Sequence, residues 1–177
     1  DDPEVVGGEK MSKSLGNVYN LEDVVARGFR PSTLRYLYLG THYRKQLKFS
    51  MATLAQCDEA LKRLMDFLSR LDGVTTAGAH PAVAERVAAA RTEFDAHLLN
   101  DVNAPGGLGV LFDLVRGLNA AIDAGEVGVD DVAVIREAFD HFDLVLGFIA
   151  MRRAEDAAPP VPVADDKKPF PIVQTPA

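Results

Sequence analysis

The feature that most narrows the choice of fold is a run of apolar residues at seven-residue spacing. Leu54, Leu61 and Leu68 interleave with Cys57, Leu64 and Leu71. A side chain returns to the same face of an α-helix after two turns, so the stripe predicts one helix of about three heptads with a single buried seam. Ser50 stands just ahead of it as an N-cap. Helical spacing continues downstream. Val83, Val87, Ala90, Phe94 and Leu98 share a face behind Pro81. Leu108, Leu111, Val115, Leu118 and Ile122 form a third stripe behind the turn at Asn100–Pro105, and Ile135, Phe139, Phe142, Leu146 and Ile149 a fourth behind Asp130-Asp131. Here the two aspartates are expected to cap a helix rather than bind metal. Four amphipathic helices with short connections predict an antiparallel bundle.

Two shorter helices precede it. Asn20 followed by Leu21-Glu22-Asp23 offers a cap with acids in the first turn, and Gly28 a stop. Pro31 opens a second helix that runs to Gly40, with Leu34, Leu37 and Tyr38 on one face. Six prolines between Pro159 and Pro176 forbid a regular helix, so the end is expected to be extended and disordered. The fold class is therefore all-α, in three parts: residues 1–50, a loop with short helices; 51–153, the bundle; and 154–177, a tail.

With 177 residues, 47% of them hydrophobic, the chain can bury a sizeable core without cross-links. One cysteine, Cys57, allows no internal disulfide and no thiolate-rich metal site, and its place on the apolar seam predicts a packed residue. No apolar run approaches a membrane span, and the acidic start at Asp1-Asp2-Pro3-Glu4 is unlike a secretory leader, so a cytoplasmic setting is expected. The absence of an initiator Met suggests a piece of a longer protein.

Charge is segregated. Residues 10–70 hold eleven Lys and Arg against five Asp and Glu, whereas residues 71–177 hold eight against seventeen. A polyanionic partner would be drawn to the first segment and repelled by the second.

The segment Gly7-Gly8-Glu9-Lys10-Met11-Ser12-Lys13-Ser14-Leu15-Gly16-Asn17 sets two lysines three apart among serines and glycines, which suits a loop that moves and closes over phosphates. Lys10-Met11-Ser12-Lys13-Ser14, with its continuation Leu15-Gly16-Asn17, resembles the second signature of class I aminoacyl-tRNA synthetases. Downstream, Leu34-Arg35-Tyr36-Leu37 and His42-Tyr43-Arg44-Lys45-Gln46-Leu47-Lys48-Phe49-Ser50 are similar to the cysteine-specific family of that class. Asp101-Val102-Asn103-Ala104-Pro105 and the helix with Val110 to Arg116 are similar to the same family's helical domain. There Ala104 replaces a usual Thr, and Leu99-Asn100 two usual acids. The resemblance covers residues 5 to about 153.

It implies an enzyme that activates cysteine with ATP and Mg and passes it from cysteinyl-adenylate to tRNA(Cys). Lys13 first and Lys10 second would stabilise the charge that grows as pyrophosphate leaves, with Met11, Ser12 and Ser14 completing the ATP-binding loop. Arg35, Arg44, Lys45 and Lys48 are candidates for tRNA backbone contacts, or else a solvated surface. His42 is open between facing the tRNA acceptor end or the catalytic domain and a hydrogen-bonded packing role. The nucleotide fold with its His-x-Gly-His signature and the zinc site of such enzymes lie before the second signature and are not in this sequence. The chain alone is therefore expected to be inactive and free of metal ligands; a monomer is expected. The anticodon-reading module is not recognisable in Ala154–Ala177. Two alternatives stand beside this reading: the paralogous ligase that acylates an amino sugar in mycothiol synthesis, and a non-catalytic helical interaction module.

Overall fold

The computed structural model describes residues 21–158, which are helical throughout except for their connections. The described helices are α1 (Leu21–Ala26), α2 (Pro31–Leu39), α3 (Met51–Arg70), α4 (Pro81–Leu99), α5 (Ala104–Asp123), α6 (Asp131–Leu146) and α7 (Ile149–Ala157), with a 3₁₀ turn at Leu71–Gly73. The chain is all-α, as the stripes predict. Lys10–Ser14, the Asn20 cap and the residues from Pro159 onward lie outside the described residues.

Local signals explain several helix ends. Gly28, with φ of +85°, turns the chain after α1. Pro31 sits in the first turn of α2, where its missing N–H costs nothing. The extended Ser50 accepts a hydrogen bond on its Oγ from the Thr53 amide at 3.0 Å and so caps α3.

The seam of α3 is buried along its whole length. Leu54, Cys57, Leu61, Leu64, Leu68 and Leu71 are all at most 8% exposed. One stripe serves two cores. Leu54 and Cys57 join Val24 and Leu37 under α1 and α2, whereas Leu61 onward joins the large core built with α4, α5 and α6. In that core Phe67 and Phe94 reach Phe139 and Phe142, with ring centroids 4.5–5.7 Å apart among the neighbouring rings.

Consecutive bundle helices alternate in direction. Phe94 lies over Gly107 while Arg86 lies over Gly117, which sets α5 against α4. Asp95 pairs with His141 while His80 pairs with Asp131, so α4 and α6 are neighbours that run the same way. The bundle is thus antiparallel in sequence order and includes parallel neighbours in space.

Two polar junctions hold its ends, and they contain the four buried polar or charged residues among those described: Ser32, Thr33, Asp131 and Arg152. Asp131 does not cap its own helix. Its carboxylate accepts from the Gly128 amide at 2.9 Å and the His80 amide at 3.0 Å, with the His80 ring Nδ1 at 3.2 Å, tying the starts of α4 and α6 together. A Cβ on Gly128 would collide with the Gly78 carbonyl, so glycine is required where these two loops press together.

The stripe that ends at Ile149 predicts one helix, but the structure divides it. Gly147, at φ of +62°, ends α6, and the Asp143 carboxylate accepts from the Ile149 and Ala150 amides at 2.7 and 2.8 Å to start α7. Helix α7 runs through Ala157, four residues into the segment 154–157 and beyond that reads as tail. It docks on α2 and α3. Arg152 donates to Asp58 at 2.6 Å, Thr33 donates to the same oxygen at 2.8 Å, and Ser32 donates from its amide and hydroxyl to Glu155.

Candidate functional site

The chain between α2 and α3 has no regular structure, and it is held by one residue of another connection. Asp101 and Val102 follow α4 with φ of +57° and +49°. A left-handed conformation is tolerable for Asp and unfavourable for the β-branched Val, so the surroundings must impose this turn. It is fixed by the Val102 amide donating to Leu98 at 3.2 Å and by the Asn103 side chain accepting from Gly106 at 3.1 Å, which caps α5. The turn projects the Asp101 carboxylate at the segment after α2. Tyr43 Oη donates to it at 2.5 Å and Arg44 Nη2 at 2.9 Å, with His42 Nε2 at 3.6 Å.

These three side chains also support one another. The His42 and Tyr43 rings stack with centroids 4.9 Å apart, and Arg44 Nε donates to Tyr43 Oη at 2.9 Å. The hydrogen bond to Asp101 pushes the Tyr43 phenol up, so it stays a protonated donor at neutral pH. His42 thus stacks on Tyr43 beside the Asp101 carboxylate.

Beside this cluster an open groove of about 710 Å³ runs between the 41–48 segment, α3 and the start of α5. Lys45, Lys48 and Arg63 line it together with His42, and no carboxylate does. A second groove of about 560 Å³ continues it along α3 and α5, sharing Tyr36, Ala60 and Arg63 and ending at Arg70 and Arg116. Asp66 is its one acid. A long, open, cationic furrow suits an extended polyanion better than a small enclosed ligand.

The four basic candidates separate on this geometry. Lys45 and Lys48 are exposed on the furrow. Arg44 is engaged with Asp101, though its side chain stays two-thirds exposed. Arg35 lies elsewhere: its Nε donates to the Leu146 carbonyl at 2.5 Å, capping the end of α6 against Gly147. Cys57 lines the floor of the groove, but burial, helped by the Asp58 charge, pushes its thiol up to about 11, leaving it protonated and unreactive at neutral pH. Among the described residues no group of three or more His, Cys, Asp or Glu is placed to hold a metal ion, and no helix is long and apolar enough to cross a membrane.

Comparison with known proteins places these elements in two matched regions. Residues 4–59 match the family described as tRNA synthetases class I (C) catalytic domain, and residues 93–150 match the DALR domain. Over 146 residues, 82% of the chain, it is 39% identical to a cysteine–tRNA ligase of Koribacter versatilis, and over 149 residues 38% identical to that of Chlamydia pneumoniae. A cysteine–tRNA ligase of Solibacter usitatus is 39% identical over 142 residues, 80% of the chain. On these matches the chain belongs to the cysteine–tRNA ligase family.

The chain spans about 30% of the length of these cysteine–tRNA ligases. The cluster at Asp101 lies where the two matched regions touch: His42, Tyr43 and Arg44 come from the catalytic-domain match and Asp101 from the DALR match. Their contact joins residues 57 and 58 positions apart, which no local pattern announces. Arg63 was missed for a different reason. It sits on the polar flank of the α3 seam, where a charge reads as ordinary solvated surface, and its one signal is the heptad spacing Gln56, Arg63, Arg70 along the furrow.

Proposed function

We propose that this chain supplies the ATP-closing loop and a tRNA-contacting surface of a cysteine–tRNA ligase, the activity its relatives are named for. The observation that carries the reading is the Asp101 cluster, which packs the synthetase-like segment His42–Arg44 on the DALR-like turn and so makes the two regions one working unit. In the reaction, a cysteine carboxylate oxygen attacks the α-phosphorus of ATP and pyrophosphate leaves. A hydroxyl of the terminal tRNA ribose then attacks the cysteinyl carbonyl, releasing AMP.

Lys13 and Lys10 would place ammonium groups where negative charge develops on the leaving oxygens, a stabilisation felt more in the transition state than in the ground state. Ser12 and Ser14 add hydroxyl donors, and the flanking glycines allow closure. Mg would accompany ATP. The zinc that the family resemblance implies has no fitting donor set among the described residues, and no step here depends on it. Lys45 and Lys48 would meet the tRNA backbone, with Arg44 at the edge. We divide the chain into residues 1–50, the bundle 51–153, with α7 carrying its helix on to Ala157, and the remainder of 154–177 as tail, and place its work in the cytoplasm as part of a monomer.

The test is the identity of the acceptor. The full-length polypeptide that carries these residues is given ATP, labelled cysteine, and either tRNA or the amino-sugar acceptor of the mycothiol-type ligase. Label is expected in tRNA, with Lys45→Glu/Lys48→Glu raising the KM for tRNA by roughly tenfold. Label in the amino sugar alone would transfer the chain to the paralogous reaction.

A further inference from the structure

The furrow's two halves share Tyr36, Ala60 and Arg63, and at this waist two polar groups have no partner among the described residues. Arg63 is exposed on α3 and has no hydrogen-bond or ion-pair partner among the described residues. Arg70 and Arg116, farther along, are by contrast engaged with Asp123 and Asp113. The Tyr36 ring is fixed by edge-on contacts to Phe112 and Phe148, with centroids 6.0 and 5.5 Å away, while its hydroxyl makes no hydrogen bond among the described residues. Burial pushes that phenol up to about 12, with Cys57 adding to the rise and the Arg63 charge opposing it, so the hydroxyl is a donor at neutral pH. Tyr36 and Arg63 both line the two grooves where these meet.

We propose that Tyr36 and Arg63 form a clamp for one phosphate of an RNA backbone laid along the α3–α5 furrow. This rests on the reading of the furrow as a tRNA-contacting surface, and extends it from the 41–48 segment into the bundle. The chemistry is complementary. A guanidinium and a rigid hydroxyl donor together suit a phosphodiester's two free oxygens, and no carboxylate lines the groove on the Lys45–Lys48 side. The chain carries a net charge of −7, yet the furrow's lining sets Lys45, Lys48, Arg63, Arg70 and Arg116 against Asp66 alone, which lowers the repulsion a polyanion would meet there. From Thr53 to Arg70 the furrow follows α3 for about 25 Å at 1.5 Å per residue, room for several phosphates, with Arg63 about 10 Å from Arg70 along the axis. The site reads no base. It sets register on the backbone.

The experiment is binding of fluorescein-labelled tRNA to the 177-residue chain, followed by anisotropy across a salt series. Tyr36→Phe keeps both ring contacts and removes only the hydroxyl; Arg63→Ala acts on an exposed side chain. Both variants are expected to fold normally, checked by helical circular dichroism. Each should weaken binding about five- to tenfold, and Arg63→Ala should also lower the slope of log K against log salt by about 1, whereas Tyr36→Phe leaves the slope unchanged. Arg153→Ala, on the exposed side of α7, should change neither. If Lys45→Ala and Lys48→Ala weaken binding while Tyr36→Phe and Arg63→Ala do not, the clamp is wrong and the tRNA-contacting surface stands. If the unsubstituted chain binds no tRNA even at low salt, the surface itself is wrong and the clamp falls with it.

Discussion

Asp131 shows how one carboxylate can hold two helices. It is 2% exposed, and burial works against its ionised form, yet hydrogen bonds from the Gly128 and His80 amides and from the His80 ring, together with the His80 charge, hold its pKa below the usual carboxylate value. A depressed folded-state pKa means stability that is fully present above the unfolded value near 4 and is lost as pH falls through the folded one. Asp58, held low against burial by Arg152, Thr33 and Arg30, acts in the same direction. Urea unfolding midpoints are therefore expected to stay level from pH 7 to about pH 5 and drop below about pH 4. Asp131→Asn should cost about 2 kcal/mol at neutral pH and show a shallower acid drop; an acid drop equal to that of the unsubstituted chain would remove Asp131 from this role. None of this was legible in the sequence. Asp130-Asp131 looks like a helix cap, and the His80 partner lies 51 positions away.

Among elements, the helices that depend on local signals were the legible ones. The α3 seam, the Ser50 cap and the Pro31 start all follow from residues within a few positions of each other. The division of α6 from α7 was not legible, because Ile149 continues the apolar stripe in register although the backbone between reverses its twist at Gly147. What secures the break is tertiary: the Arg35 guanidinium, 111 positions earlier, takes the Leu146 carbonyl that α6 leaves free. The same contact explains why Arg35, a candidate for RNA contact by sequence, is occupied elsewhere. A Cβ at position 147 would meet that guanidinium at 2.7 Å in a conformation that disfavours side chains. Gly147→Ala is expected to lower stability by about 1–2 kcal/mol in urea unfolding, more than alanine at the open Gly109. Equal effects at the two positions would show that the left-handed turn is not what ends α6.

Across the molecule, the α3 stripe is shared by two cores, so the short helices α1 and α2 and the DALR-like bundle cannot shift independently. Helix α7 adds a second tie, from Arg152 to Asp58 and Thr33 and from Glu155 to Ser32. Arg152 is 6% exposed, and removing Asp58 strips its Nη1 of the carboxylate it donates to and leaves only Asp156, 3.2 Å from its Nε, as a counter-charge. Asp58→Ala is expected to cost about 3 kcal/mol and to raise hydrogen exchange in α2 as well as α7; faster exchange in α7 alone would mean that the tie carries nothing to α2. The sequence disclosed the helices and their order, because stripes and caps are local. The joining of His42–Arg44 to Asp101, which assembles the site, depends on a backbone turn that only the folded chain imposes. The most direct test of the whole account is cysteine-dependent exchange of pyrophosphate into ATP by the full-length polypeptide, with and without Lys13→Ala. Exchange that requires cysteine and falls about 10²–10³-fold in the variant is the predicted result, on the scale of losing one preorganised donor to a developing charge. Exchange that is absent, or indifferent to cysteine, would contradict the account.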